Sequence, residues 1–331
     1  MEKKRILTGD RPTGRLHLGH FVGSLQNRAR LQSEYDTFIL LADVQALSTH
    51  WERPEMIRES LYDVTIDNLS AGLEPEKVTF VQQSRIAAIA ELTVFFSMLV
   101  PVNALRHNPT IKTEATQYGY GELSYGFLGY PVSQAADITF CGADLVPVGD
   151  DQLPHMELTR KIARRWGELY GKGDEIIKIP EALLSATPRL PGLDGGGKMG
   201  KSLGNAIYLS DDAQTVAAKV GTAVTDTNRI RATDKGNPDV CTVSRYHEAF
   251  APDEYGDIRK TCRGGRIGCV ACKQRLADTL NALLEPIWER RRYYEERRPF
   301  VREIIESGSE KANKIGGEKI DQVKRAMNIR L

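Results

Sequence analysis

The chain has 331 residues, a formal net charge of +1, 41% hydrophobic and 27% charged residues, which are ordinary values for a globular protein. Its length favours two domains, and its near-neutral charge excludes a globally basic nucleic-acid binder, so any polyanion must meet a local patch. No apolar run is long enough to span a bilayer, and the N-terminus shows neither a signal nor a transit segment. We therefore expect a cytoplasmic protein with no membrane partner.

The first half of the chain alternates apolar runs with stretches of helical period. Strands are predicted at 5–9, 37–42, 78–81 and 144–149, and helices at 17–33, 54–71, 87–100 and 153–170. This alternation predicts an α/β fold with a doubly wound, mostly parallel, Rossmann-like sheet. Ligands of such sheets bind at the carboxyl ends of strands, where Gly9 and Asp43 are expected.

The second half has a different composition. Residues 191–197 form a glycine-rich hinge, and beyond Ser210 we predict helices and loops without a clear strand. Helices are expected at 276–298 and at 301–327, the second with a break near Gly316 and Gly317. This pattern predicts a catalytic domain at 1–190, a mobile loop at 191–204 and a helical domain at 205–331, whose last helices can pack back on the first domain.

The first chemical motif, T-G-D-R-P-T-G-R-L-H-L-G-H, ends at His20. His17 and His20 are three residues apart at the predicted start of a helix, where free N–H groups and the helix dipole favour anions. Gly19 leaves room for a nucleoside on the backbone. Two surface histidines at an ordinary helix start are the structural alternative.

The second motif, G-G-G-K-M-G-K-S, starts at Gly195. Lys198 and Lys201 are its only charged residues, and the neighbouring glycines allow the loop to close over a triphosphate and compensate the charge of departing pyrophosphate. An exposed basic turn is the structural alternative. The two motifs in this order on an α/β chain are more specific than either string alone.

The pair of motifs resembles the two signature sequences of class I aminoacyl-tRNA synthetases. Gly200 stands where that class usually has serine, which removes one hydroxyl but keeps both lysines and Ser202. The resemblance implies Lys198, Lys201, His17 and His20 as catalytic residues and ATP with Mg²⁺ as cosubstrate. It implies that the ATP site is formed by Arg11, Pro12, Thr13, Gly19, His20, Gly149, Asp150, Asp151, Leu190, Lys198, Met199, Gly200, Lys201 and Ser202.

Two further segments resemble the tryptophanyl members of that class: Y-P-V-S-Q-A-A-D-I from Tyr130 and D-L-V-P-V-G-D-D-Q-L-P-H-M-E-L-T-R from Asp144. The similarity extends over nearly the whole chain. The resemblance implies that Asp137 accepts the indole N–H of tryptophan, which is a donor only; a helix cap or ion pair is the alternative. Tyr130, Gln134 and Gln152 would orient the amino acid's ammonium and carboxylate. The apolar wall would be formed by Leu7, Val146 and Val148.

Two positions depart from many relatives of this family. Gln45 stands where histidine is common, and Leu7 replaces an aromatic residue seen in some relatives. Both lie in the tryptophan pocket that the resemblance implies, so we expect altered contacts to the indole or tolerance of a modified indole.

Four of the five cysteines, Cys241, Cys262, Cys269 and Cys272, lie within 32 residues. In a cytosolic protein such clustering favours metal over disulfides, and zinc is the usual occupant of four thiolates. The surrounding sequence resembles the subset of bacterial tryptophanyl-tRNA synthetases that hold a four-iron four-sulfur cluster, which favours iron–sulfur; zinc and reduced thiols remain alternatives. Cys141 stands alone in an apolar stretch and is expected in the core.

The remaining expectations concern partners. Residues 259–275 contain six lysines or arginines and no acidic residue, which suits the backbone of tRNA(Trp) in an anticodon-binding domain. The arginines at 290–292, 297 and 298 are either a second contact or a solvated helix face. The family implies a homodimer, with 87–100 and its flanks as a surface. The expected reaction forms tryptophanyl-adenylate and then acylates tRNA(Trp); a tyrosyl ligase and a synthetase-like binding paralogue are the alternatives.

Overall fold

The structure is a computed structural model that describes residues 3–184, 190–197 and 199–330, without the side chain of Ser202. Within these residues, five parallel strands form one sheet in the order β3–β2–β1–β4–β5. The strands are β1 Arg5–Asp10, β2 Asp36–Leu41, β3 Val78–Gln82, β4 Leu145–Val148 and β5 Glu181–Leu184. The strand order reverses beside β1, as in a doubly wound fold. The predicted α/β class is therefore confirmed, whereas β5, a short and largely exposed edge strand, was not predicted.

Helices connect the strands and form the C-terminal part. They are α1 Leu18–His20, α2 Gln26–Leu31, α3 Asp43–His50, α4 Pro54–Ser70, α5 Ala87–Ser97, α6 Val102–Arg106, α7 Pro109–Tyr118, α8 Tyr125–Phe140, α9 Leu153–Trp166, α10 Ala213–Thr222, α11 Thr242–Phe250, α12 Pro252–Arg263, α13 Cys269–Glu295 and α14 Arg298–Ala326. A π-helical segment, Phe21–Leu25, joins α1 to α2. Among the described helices, none has the length and apolar character needed to cross a membrane.

The central strand β2 shows why this sheet is covered on both sides. Successive side chains of a strand point to opposite faces. Phe38 and Leu40 pack into one hydrophobic core, and Ile39 and Leu41 into the other. A strand buried on both faces needs a continuous apolar run, which is the T-F-I-L-L segment of the sequence.

The last helix, α14, packs across β3 at the edge of the sheet. The Oγ atom of Ser309 accepts a hydrogen bond from the backbone N–H of Gln82 at 3.0 Å. A Cβ on Gly308 would lie 2.1 Å from the carbonyl oxygen of Phe80, and one on Gly316 would lie 3.0 Å from Cβ of Ala88. The predicted break near Gly316 is therefore wrong: the helix is continuous, and its glycines allow close approach to the sheet and its helices.

A pair of glycine substitutions on α14 tests this packing. We expect Gly308→Ala to destabilise the protein by about 1–3 kcal/mol, because the new methyl group would collide with the backbone of Phe80. Gly317→Ala is the matched control: its Cβ would meet nothing within 4 Å, and alanine stabilises a helix interior by up to about 1 kcal/mol relative to glycine. Urea unfolding of both variants measures the difference; equal stabilities would contradict the close packing.

A buried ion-pair network joins α13 to the loop before α1. The guanidinium of Arg291 pairs with Asp67 and, at 3.0 Å, with Asp63. Asp67 is fully buried, and its Oδ2 accepts the backbone N–H of Leu16 at 2.7 Å. The interpretation of residues 290–292 as a solvated face or an RNA contact is therefore wrong for Arg291, which is 3% exposed. The network holds the residue before His17 in place.

Candidate active site

A cavity of about 940 Å³ opens at the carboxyl ends of the strands, beside the point where the strand order reverses. Most of the residues that the sequence assigned to ATP and tryptophan lie in its wall. They are Leu7, Arg11, His17, Gly19, His20, Gln45, Tyr130, Gln134, Asp137, Val146, Val148, Gly149, Asp150, Asp151, Gln152, Leu190 and Met199. Segments that are distant in the chain therefore meet in one cavity.

Six further predicted positions have a different placement. Pro12, Thr13, Gly200 and Lys201 are described but are not part of the cavity wall. Thr13 belongs to the turn in which its N–H donates to the carbonyl of Arg11 at 2.8 Å. Lys198 lies outside the described residues, as does the side chain of Ser202.

Backbone hydrogen bonds fix the orientation of both histidines. Nδ1 of His17 accepts the N–H of Gly19 at 3.1 Å, and Nδ1 of His20 accepts the N–H of His17 at 3.2 Å. Burial, and then the charge of Lys201, lowers the pKa of His17 to about 4; burial also lowers the pKa of His20 well below its usual value. Both rings are therefore neutral at pH 7, and the proton of each is on Nε2, where it can be donated to a ligand oxygen.

The second motif reaches the first through Lys201. Its Nζ donates a hydrogen bond of 2.6 Å to the carbonyl of Gly14. Gly14 has a φ of +108°, a conformation that glycine adopts at little cost. Burial lowers the pKa of the Lys201 ammonium, whereas the nearby carboxylates of Asp10 and Asp67 raise it. The ammonium and the two imidazoles, which are far apart in the sequence, thus meet at the same side of the molecule.

The opposite part of the cavity holds a buried carboxylate, Asp137. Its Oδ1 accepts a hydrogen bond of 2.8 Å from Nε2 of Gln83, and its Oδ2 is buried without a hydrogen-bond partner among the described residues. Gln83 is itself held by the N–H of Gln45, which donates to its Oε1 at 3.0 Å. Burial raises the pKa of Asp137 to about 7. An acceptor is thus left for a donor-only ligand, and Asp137 forms no ion pair of the kind named as the structural alternative with any described residue.

Helix α8 places on one face three residues that the sequence analysis assigned to tryptophan. Tyr130, Gln134 and Asp137 are spaced at i, i+4 and i+7, so they project from the same side of the helix into the cavity. The hydroxyl of Tyr130 lies 2.8 Å from Nε2 of His155, which is buried. This arrangement gives the cavity a row of polar groups along one wall.

Several polar groups of the cavity were not recognised in the sequence. Arg28 and Glu114 in the cavity wall, and Gln83 behind Asp137, belong to no motif, whereas Asp10 lies in the first motif without having been singled out there. Arg28 pairs with Asp10 at 2.6 Å below His20, and the charge of Asp10 opposes the lowering of the histidine pKa. Only the repeated glutamine in V-Q-Q-S, at the end of a strand, could have indicated Gln83.

The four clustered cysteines lie at the ends of three helices. Cys241 precedes α11, Cys262 lies in the last turn of α12, and Cys269 and Cys272 lie in the first turn of α13. Burial, followed by the charges of the other three thiols, raises the pKa of Cys272 to about 12, so the four groups influence one another. The described residues contain no trio of metal-ligating side chains arranged around a single ion. Cys141 is buried in the core, as predicted.

The surroundings of these thiols suit a thiolate-bound group. Nη1 of Arg229 lies 3.8 Å from Sγ of Cys269. Burial raises the pKa of Cys262, and the charge of Arg229 opposes this rise. A Cβ on Gly236 would lie 2.7 Å from Sγ of Cys262, so glycine leaves the sulfur accessible. Four thiols beside one guanidinium fit a group that carries net negative charge when bound to thiolates.

Comparison with known proteins defines the class to which this fold and site belong. The family described as class I tRNA synthetases for tryptophan and tyrosine matches residues 1–285, and the chain belongs to this family. Within it, the chain is 47% identical to the tryptophan–tRNA ligase of Streptococcus mutans and 44% identical to that of Lactococcus lactis, each over 99% of both proteins. The crystal structure of tryptophanyl-tRNA synthetase from Campylobacter jejuni, complexed with ADP and tryptophan, superposes with a TM-score of 0.86 at 27% identity and covers 98% of this chain and 99% of that one.

Proposed function

We infer that this protein is a tryptophan–tRNA ligase. It activates L-tryptophan with ATP to give tryptophanyl-adenylate and pyrophosphate, and it then transfers the amino acid to tRNA(Trp). The observation that carries this inference is a cavity with two neutral imidazoles at one end, close to the ammonium of Lys201, and a carboxylate oxygen at the other that is buried without a hydrogen-bond partner among the described residues. Full-length identity of 44–47% to tryptophan–tRNA ligases supports it and disfavours the tyrosyl alternative.

The first step needs no side-chain nucleophile. The carboxylate of tryptophan attacks the α-phosphate of ATP in line, and pyrophosphate is the leaving group. The protein contributes positioning and electrostatic stabilisation. His17 and His20 donate their Nε2–H groups to phosphate oxygens, and Lys201 compensates the charge that develops on pyrophosphate. Mg²⁺ enters with ATP, bound mainly through phosphate oxygens and water.

The remaining ATP contacts follow the cavity wall. Gly19 presents backbone to the nucleoside, while Gly149, Asp150 and Asp151 approach the ribose and adenine. Arg11, Leu190 and Met199 complete this end of the site. Lys198, which belongs to the same motif as Lys201, is assigned to pyrophosphate by the same chemistry.

The tryptophan site is at the opposite end of the cavity. Asp137 accepts the indole N–H, and Gln83 keeps the carboxylate oriented by donating to its other oxygen. Leu7, Val146 and Val148 surround the ring. Tyr130, Gln134 and Gln152 hold the ammonium and carboxylate groups, and Gln45 contributes an amide to the pocket.

Exchange of labelled pyrophosphate into ATP tests this function. We expect exchange that depends on L-tryptophan and is absent with L-tyrosine, followed by charging of tRNA(Trp). Exchange with tyrosine alone would overturn the specificity. Binding of tryptophan without exchange or charging would instead support the synthetase-like binding paralogue.

An apolar face beside the active site fits the association of two copies. Trp51, Met98 and Tyr125 are 68%, 72% and 83% exposed. Trp51 and Tyr125 line a largely apolar groove beside α5, and Met98 directly follows α5. Gln45 lines both this groove and the catalytic cavity. We expect a homodimer through this face. Trp51→Glu should shift the protein to monomer in analytical ultracentrifugation, whereas a wild-type monomer would exclude the dimer.

We assign the four cysteines to a thiolate-bound four-iron four-sulfur cluster, with zinc as the alternative. The four thiols and the nearby guanidinium of Arg229 support a bound group of negative charge, and Gly236, which has no side chain, avoids a collision with Sγ of Cys262. Protein prepared without oxygen should contain iron and sulfide and absorb near the border of visible and ultraviolet light, and Cys269→Ser should lose both metal and absorbance. Zinc without colour would select the alternative.

The helical C-terminal region, 205–331, is assigned to the anticodon end of tRNA. Part of its basic stretch is already paired, since Arg263 contacts Asp239 at 2.8 Å and Nζ of Lys273 donates to the carbonyl of Gly221 at 2.7 Å. Lys260 and Arg266 are the members of this stretch that we expect to meet RNA phosphates. Their alanine variants should raise KM for tRNA and leave pyrophosphate exchange unchanged; an unchanged KM would remove this assignment.

A further inference from the structure

Glu114 is a charged side chain in the wall of the catalytic cavity that no motif indicated. Helix α7 begins at Asn108, whose side chain caps the N–H of Thr110 at 2.9 Å. Oγ1 of Thr110 donates to the carbonyl of Asp151 at 2.9 Å, which fixes the start of the helix against the loop after β4. Glu114 is four residues after Thr110, on the same face of the helix, and is therefore presented to the cavity.

The carboxylate of Glu114 has an acceptor that no described group uses. Its Oε2 is buried and without a hydrogen-bond partner among the described residues. Its Oε1 is 4.0 Å from Nη2 of Arg11, a distance at the limit for an ion pair. A buried acceptor left unpaired costs free energy, so this oxygen has a physical reason to receive a donor from a ligand.

The position of the carboxylate relative to Tyr130 indicates which part of a ligand it meets. Both side chains lie in the wall of the same cavity, and the hydroxyl of Tyr130 is 2.8 Å from Nε2 of His155. Burial raises the pKa of Tyr130, and the charge of the nearby Glu114 carboxylate raises it further. Tyr130 is seven residues before Asp137 on α8. Seven helical residues rise about 10 Å. The phenol of Tyr130 and the carboxylate of Asp137, the acceptor proposed for the indole, are therefore separated by roughly the length of an amino acid with a large ring.

We propose that Glu114 binds the α-ammonium group of tryptophan, together with the hydroxyl of Tyr130. The inference rests on the proposed function, in which Asp137 accepts the indole N–H. An ammonium group has three donors and no acceptor. Oε2 of Glu114 supplies the charge-assisted partner that the neutral groups Tyr130, Gln134 and Gln152 cannot supply. The residue thereby selects the zwitterionic amino acid over indole compounds without an amino group.

The substitution Glu114→Gln keeps the shape of the side chain and removes its charge. Equilibrium binding is measured for three ligands: L-tryptophan, tryptamine, which has the ammonium but no carboxylate, and indole-3-propionate, which has the carboxylate but no ammonium. We expect affinity for tryptophan and tryptamine to fall about tenfold or more. Affinity for indole-3-propionate should be unchanged or higher. Glu114→Asp should recover part of the loss.

Glu122→Gln, at an exposed carboxylate nearby in the chain, is the matched control and should bind all three ligands as the wild type does. An equal loss for all three ligands in Glu114→Gln would overturn the proposal, because it would indicate a structural role. A higher KM for ATP with unchanged tryptophan affinity would also overturn it, because this result would show that Glu114 acts with Arg11 on binding of the nucleotide. Wild-type protein that fails to bind tryptophan would overturn the proposed function and this inference with it. If the wild type binds tryptophan and Glu114→Gln binds it with the same affinity, this inference alone would be overturned.

Discussion

Lys201→Ala lowers the rate constant of tryptophan-dependent pyrophosphate exchange by about 10²–10³-fold, the usual effect of removing one preorganised partner of a developing charge. The ammonium of Lys201 is held by the carbonyl of Gly14 beside the two imidazoles. Because it acts on the phosphates that leave, its loss should reduce kcat and leave the dissociation constant of tryptophan unchanged.

The matched control for this experiment is Lys260→Ala, which removes an exposed lysine from α12. It should not affect exchange, because that assay contains no tRNA. A Lys201→Ala enzyme whose rate is within about a factor of two of the wild type would show that the ammonium does not act on the reacting phosphates.

Asp137→Ala should lower kcat/KM for tryptophan by at least about a hundredfold. The substitution leaves two donors without an acceptor, the amide of Gln83 and the indole N–H of the substrate, and buried unpaired donors are costly. Steady-state exchange kinetics measure the effect, and thermal unfolding shows whether the variant remains folded.

A substrate analogue separates the hydrogen bond from packing. In benzothienyl-alanine, sulfur replaces the indole N–H. The wild type should discriminate strongly against this analogue in favour of tryptophan. Asp137→Ala should not, because it lacks the acceptor that distinguishes the two substrates. Equal discrimination in both enzymes would contradict the role of Asp137.

The same carboxylate predicts a pH dependence. Burial raises the pKa of Asp137 to about 7, and only the ionised form offers Oδ2 as an acceptor, since a protonated oxygen presents a donor to the indole N–H. For the wild type, kcat/KM for tryptophan should therefore fall by about tenfold per pH unit below pH 7 and be constant above it. Asp137→Ala should lack this dependence; a variant with the same profile as the wild type would assign the titration to another group.

Sequence motifs predicted the parts of this protein in which function depends on local chemistry. The two signature strings, the apolar strands and Asp137 are each visible within a few residues. The structure brings the histidines of the first string, Met199 of the second and Asp137 into one cavity. Their roles remain proposals, but their convergence did not follow from either string alone.

The features that were missed depend on tertiary contacts. Helix α8 contains Pro131, which disfavours a helix interior, and so its regular face was not recognised. Helix α14 continues through Gly316 and Gly317 because its packing against the sheet outweighs the low helix propensity of glycine. Gln83, Glu114 and the pair of Asp67 with Arg291 join elements far apart in the chain, and no periodicity indicates such contacts.

A crystal structure with tryptophan and a non-hydrolysable ATP analogue tests the central claim most directly. The account predicts the phosphates of the analogue between the Nε2 atoms of His17 and His20 and the Nζ atom of Lys201, with the indole nitrogen within hydrogen-bond distance of Oδ2 of Asp137. A phosphate that contacts only one of the two motifs, or an indole that lies away from Asp137, would contradict it.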